Sequence, residues 1–143
     1  VDAAENPDYA KPSDKTAGVL EDCKQTLAEM AEFCEKNGAE FILWSAPNTL
    51  TWTPDGHNAI KKAAEELGVT YIDTNYMKEE VPIDWEQDTF DKGDHLNYFG
   101  AKKVTTYLGK FLRDKNLFVD KRTDSRYEVW NEEEKRFYQT ITQ

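Results

Sequence analysis

Apolar side chains recur at three- and four-residue steps between Thr16 and Asn37: Val19, Leu20, Cys23, Leu27, Met30, Ala31 and Cys34. That period predicts an amphipathic helix, closed by Asn37-Gly38 because glycine takes the left-handed conformation cheaply. The pattern then changes. Phe41-Ile42-Leu43-Trp44-Ser45-Ala46 is nearly continuous and apolar, which predicts a short buried parallel strand ended by Pro47. Thr53-Pro54 predicts an N-cap and first turn for a second helix. It runs to Leu67 with Ile60, Ala63, Ala64 and Leu67 inward, and Gly68 ends it. Val69–Asp73 is the next strand. Residues 74–96 carry no clear period, and Asn97 caps a third helix to about Lys115, with Val104, Tyr107, Leu108, Phe111 and Leu112 on its inner face. Residues 118–130 read as an extended polar tail. Asn131-Glu132-Glu133-Glu134 reads as a capping box opening a last short helix that carries Phe137, Tyr138 and Ile141.

Alternating helices and strands predict an α/β fold, a partial flavodoxin-like three-layer arrangement with a short parallel sheet flanked by helices. The organisation expected is a polar lead-in over 1–15, the α/β region over 16–117 and a tail over 118–143. Two strands are few for a doubly wound sheet. The sequence therefore predicts the C-terminal part of a larger domain, or an edge covered by self-association or by a missing N-terminal segment.

Composition narrows the function classes. Of 143 residues, 18 are Lys or Arg and 28 are Asp or Glu, a formal net charge of −10. Nucleic-acid affinity comes mainly from basic residues on phosphates, so a nucleic-acid partner is not expected, and anionic membrane surfaces are disfavoured. No apolar run approaches the roughly 20 residues that cross a bilayer, and residues 1–13 lack a signal-peptide core. The 13% aromatic content argues against disorder. Cys23 and Cys34 share a helix face but stand roughly 16 Å apart along the axis, which predicts packing rather than a disulfide. With two cysteines and two histidines, no zinc set of recognised spacing exists, and neither a metal nor a cofactor is expected.

Asp91-Lys92-Gly93-Asp94-His95-Leu96-Asn97 is the stretch richest in chemistry. It follows a strand and precedes a helix, where open α/β sheets place their sites. A carboxylate beside a histidine fixes its tautomer and stabilises the imidazolium, which suits a general base. A histidine packed at a helix start uses the same residues structurally. His57, in the first turn of the second helix, reads as structural, because the positive end of a helix disfavours a cationic ring. Trp52 either lines a cleft or covers its loop. The serines are Ser13, Ser45 and Ser125, none in a G-x-S-x-G elbow, and Ser45 within a strand is a poor nucleophile.

From Asp91 through Leu96-Asn97, Gly100-Ala101 and Val104-Thr105 to Tyr107-Leu108, the chain resembles the last block of the SGNH/GDSL hydrolase superfamily. It is most similar to the branch related to extracytoplasmic acyl-transfer proteins that modify bacterial cell-surface polymers. Ser45-Ala46-Pro47, Trp52, His57-Asn58, Ile60, Gly68 and Ile72-Asp73 resemble that family's penultimate strand, helix and final strand. The resemblance covers roughly 38–130. It implies an esterase or O-acyltransferase acting on an acylated carbohydrate or cell-surface polymer, extracytoplasmic or at the cell surface. His95 would be general base, Asp91 or Asp94 its acid, and Trp52, His57 and Asn97 substrate-binding. The family's acid sits three residues before its histidine, where this chain has Lys92. Asp91 is preferred, because an extra loop residue can bulge out while Asp94 starts too close to swing to the ring. The family's Gly-Asp-Ser block and oxyanion blocks are absent from these residues, which implies an inactive fragment. The alternative expectation is a non-catalytic carbohydrate-binding or interaction domain, with Trp52, Tyr76, Trp85 and Tyr98 offering stacking faces.

Overall fold

The structure, a computed structural model, describes residues 9–91, 93–116 and 118–141. The chain divides into two compact units, Val1–Tyr107 and Leu108–Gln143. The elements, in order, are α1 (Glu21–Lys36), β1 (Ile42–Ser45), α2 (Pro54–Leu67), β2 (Thr70–Asp73), α3 (Tyr98–Asp114) and α4 (Glu128–Ile141).

β1 and β2 pair in parallel, with Ile42 opposite Thr70, Leu43 opposite Tyr71, Trp44 opposite Ile72 and Ser45 opposite Asp73. This is an α/β arrangement, a short two-stranded parallel sheet flanked by helices. Because strand side chains alternate, the register sends Leu43, Ser45, Tyr71 and Asp73 to one face and Ile42, Trp44, Thr70 and Ile72 to the other. On the second face Trp44 meets Tyr107 of α3, with ring centroids 6.0 Å apart. The first face carries His57 of α2, whose ring nitrogen reaches Asp73. Ala59, Ala63 and Ala64 of α2, Ile72 of β2 and Val104 of α3 are the buried apolar residues of these elements.

α2 begins and ends for local reasons. The Thr53 hydroxyl accepts from Gly56 N, Pro54 occupies the first turn, and Gly68 closes the helix in the left-handed conformation at φ 68°. α3 is capped by Asn97, whose Oδ1 accepts from Phe99 N at 2.9 Å and Gly100 N at 3.3 Å.

Two expected boundaries are corrected. The first helix starts at Glu21 rather than Thr16, because the preceding segment is bound elsewhere. Asn58 of α2 donates to the Ser13 and Lys15 carbonyls, both at 2.7 Å, and Ala17 N donates to Asp55 O. Leu20 stands at the N-cap position with no side-chain cap. Val19 and Leu20 thus leave the helix face to which their spacing had assigned them. The last helix starts at Glu128 rather than Asn131, after a 3-10 turn over Ser125–Tyr127 in which Arg126 N donates to the Asp124 carboxylate. Asn131 lies inside α4, where its amide nitrogen donates to Arg122 O, and caps nothing. Both cysteines are free, and Cys23 is exposed rather than packed. Among the described residues no helix is long and apolar enough to cross a membrane.

Candidate functional site

The loop between β2 and α3 folds back on itself before Asn97. Thr89 and Leu96 form an antiparallel bridge, and Phe90 N donates to His95 O at 2.9 Å. Asp91 organises the tip. Its Oδ1 accepts from Asp94 N at 3.0 Å and His95 N at 2.8 Å, while Oδ2 lies 2.6 Å from His95 Nδ1. Asp94 Oδ2 stands farther from the same nitrogen, at 3.4 Å. Lys92 lies outside the described residues. A carboxylate accepts only, so Nδ1 carries the proton toward Asp91 and Nε2 is the nitrogen left for chemistry. The side chain is 73% exposed.

The electrostatics follow from these contacts. The Asp91 hydrogen bond raises the His95 pKa above its ordinary value, and the charges of Asp94 and Asp91 add to it. The His95 N–H and ring hold Asp91 below the usual carboxylate range. The pair therefore contributes most in the window between the two shifted values. Its contribution is lost as pH rises through the raised histidine value, and lost again as pH falls through the depressed aspartate value. In an NMR titration the His95 imidazole is expected to have its midpoint above the ordinary histidine range, and Asp91→Asn is expected to move it down. An unchanged midpoint in Asp91→Asn would remove Asp91 from the orienting role.

The loop is anchored to the C-terminal end of β1. Asn48 Nδ2 donates to Asp94 Oδ1 at 2.7 Å and to Asp94 O at 3.1 Å, and Thr49 N donates to Gly93 O at 2.8 Å. Asn48 N in turn donates to Asn75 Oδ1 at 2.9 Å, and Asn75 is 1% exposed. Asn97 is committed at both ends of its amide, its nitrogen to Gln87 O and Thr89 O and its oxygen to the α3 cap. Its place in the structure is that of a cap, not of a side chain offered to substrate.

His57 and Trp52 belong to a second cluster, which the sequence left unconnected. Asp73, 5% exposed, accepts at Oδ2 from Trp52 Nε1 at 2.8 Å and Tyr71 OH at 2.9 Å, with His57 Nδ1 at 2.7 Å. Its Oδ1 accepts from Asn75 N and Nδ2. Tyr71 OH also bonds Ser45 Oγ at 2.8 Å. Burial first, and the Asp73 charge with it, push the Tyr71 and Tyr9 hydroxyls well above the usual phenol range. The signal in the sequence was Tyr71-Ile72-Asp73: polar groups at alternate strand positions share a face, but only the register shows that the face meets His57 and Ser45. Because Ser45 bonds Tyr71 rather than His57, the cluster is not a nucleophile–base–acid relay.

Of the four rings expected to offer stacking faces, Trp52, Tyr76 and Trp85 join one cluster around Tyr9, while Tyr98 lies against Phe99 with centroids 5.4 Å apart. Tyr9 meets Trp52 and Trp85 edge-on, with centroids 5.7 and 5.4 Å apart, and Tyr76 meets Trp52 edge-on at 5.2 Å. For a metal, Asp91, Asp94 and His95 bring three ligand atoms within 4.8 Å of one another. These groups are already engaged with each other and with the backbone of their own turn. No family model, curated protein or solved structure matches this chain.

Proposed function

We propose that this chain supplies the general-base half of an SGNH/GDSL-type ester hydrolase or O-acyltransferase, acting on an acylated carbohydrate or cell-surface polymer outside the cytoplasm. The observation that carries the reading is the Asp91–His95 pair: a 2.6 Å bond at Nδ1, a carboxylate pinned by two backbone N–H groups, and an exposed ring. In this reading a serine from a second segment loses its proton to His95 Nε2 as its oxygen attacks the ester carbonyl. Asp91 balances the imidazolium that forms, and the proton then passes to the departing alcohol. Asp94 adds negative potential, and its bonds to Asn48 keep the loop in register with β1. The edges of the two-stranded sheet, which no other strand pairs among the described residues, are where the partner segment, or a second copy, would pair.

The test is ester hydrolysis. Alone, the 143-residue chain is expected to hydrolyse p-nitrophenyl acetate no faster than free imidazole. When it is co-expressed with a second segment that carries a Gly-Asp-Ser serine, hydrolysis is expected, and His95→Gln should lower it about 10²–10⁴-fold. Turnover by the chain alone that vanishes in Ser45→Ala and survives in His95→Ala would overturn the assignment.

A further inference from the structure

The Asp73 cluster borders a cavity of about 450 Å³ between the lead-in segment, the first half of α1, the start of α2 and the sheet. That volume lies within the roughly 300–1,000 Å³ of ordinary small-molecule sites. Val19, Leu27 and Ile60 contribute apolar walls, and Ser45, Tyr71 and His57 supply hydroxyls and an imidazole. A largely apolar site with a few converging polar groups is how proteins hold a small ligand in one orientation.

Hydrogen-bond directions define what those polar groups can take. Asp73 is a buried acceptor, so Tyr71 OH donates to it. The Tyr71 oxygen therefore receives the Ser45 proton, which leaves lone pairs on Ser45 Oγ. His57 spends Nδ1 on Asp73, and among the described residues its Nε2 makes no hydrogen bond. Tyr76 meets the His57 ring edge-on with centroids 4.6 Å apart, and Tyr71 stands 5.4 Å away, so the imidazole is held in place. The Asp73 carboxylate accepts only, so Nδ1 carries the proton and Nε2 of the neutral ring is a bare acceptor. A hydroxyl brings the one proton that this acceptor takes. A carboxylate would set its lone pairs against those of Ser45 and its charge against Asp73.

We infer that this cavity is a binding site for a small alcohol with a hydrocarbon body, its hydroxyl donating to His57 Nε2 and its tail against Val19, Leu27 and Ile60. The site is separate from the Asp91–His95 loop and does not rest on the ester chemistry proposed for it.

The test is an NMR titration of the full chain with 1-hexanol. Two histidines leave two imidazole spin systems, and His95→Gln identifies the His57 signals by removing the others. The expected result is a saturable shift at His57, with a midpoint on the order of millimolar, and none at His95. Hexanoate at equal concentration should leave His57 unmoved. Ile60→Phe, which narrows the cavity, should abolish the hexanol shift. Should that variant not fold, Leu20→Trp, at an exposed position on the cavity rim, is expected to do the same. No saturable His57 shift, an equal response to hexanoate, or a shift that persists in the folded blocking variant would each overturn the proposal.

Discussion

Asp73→Ala is expected to destabilise the chain by about 3–5 kcal/mol, because one substitution leaves several buried donors without their shared acceptor. The carboxylate accepts at both oxygens from Trp52, Tyr71, His57 and Asn75. Removing it strands several donors at once, each worth about 1–3 kcal/mol if nothing replaces the acceptor. Water entering the vacated space keeps the total below their sum. Asp73→Asn keeps the shape and one acceptor, so a smaller loss of about 1–3 kcal/mol is expected. Urea unfolding at constant slope measures both. A Asp73→Ala midpoint indistinguishable from that of the parent chain would show that the cluster contributes nothing net to stability.

Gly100→Ala is the second large effect, and its sign runs against helix propensity. In the middle of a helix, alanine normally gains about 0.5–1 kcal/mol over glycine. At Gly100 the added methyl would overlap the backbone carbonyl oxygen of Asp88, and it would lie 3.0 Å from Leu96 Cδ2 and 3.1 Å from Asp88 Cβ. That carbonyl cannot retreat freely, because it accepts from Asn97 N at 2.9 Å. The Asp88 carboxylate is likewise held by Asp84 N and by Lys103 Nζ, and the residue is 3% exposed. Overpacking of this kind costs about 1–3 kcal/mol, so the substitution is expected to destabilise. Gly109, in the same helix, has nothing within 4 Å of its would-be Cβ. Gly109→Ala is expected to stabilise by about 0.5–1 kcal/mol. Thermal melts of the two variants should move in opposite directions. A stabilised Gly100→Ala would mean that the Asp84–Asp88 turn yields easily.

What the sequence made legible was local. α2 carried its own cap, its proline and its closing glycine within a few residues of its ends. Asn97 announced α3 in the same way. The Asp91–His95 contact was legible because it spans four residues of one turn. Misreadings came where apolar spacing continued past the true end of an element. Val19 and Leu20 fit the α1 period, yet Asn58 holds the chain before them against α2. The Asp73 cluster was invisible for a different reason. Its contacts join residues 16 and 21 positions apart, and their meeting depends on the parallel register that turns Ser45, Tyr71 and Asp73 to one face. Periodicity assigns a face to each element, but it does not say which faces meet.

The Asn48 bridge carries a consequence for the order in which the molecule opens. The strands it adjoins are joined through a single helix, from Ile42 to Thr70, a separation of 70 − 42 = 28 residues. Closing so short a crossover costs little chain entropy, and the pairing is backed by the buried Ile72 and Asp73 of β2. The His95 turn is tied back by contacts 46 residues distant, made by exposed or half-buried polar groups. Such a segment belongs to the low-stability end of a structure, opening while the unit beneath it stays folded. Amide protons at the Asp91–His95 turn should therefore exchange by local opening, and those that bond between β1 and β2 only when the sheet itself comes apart.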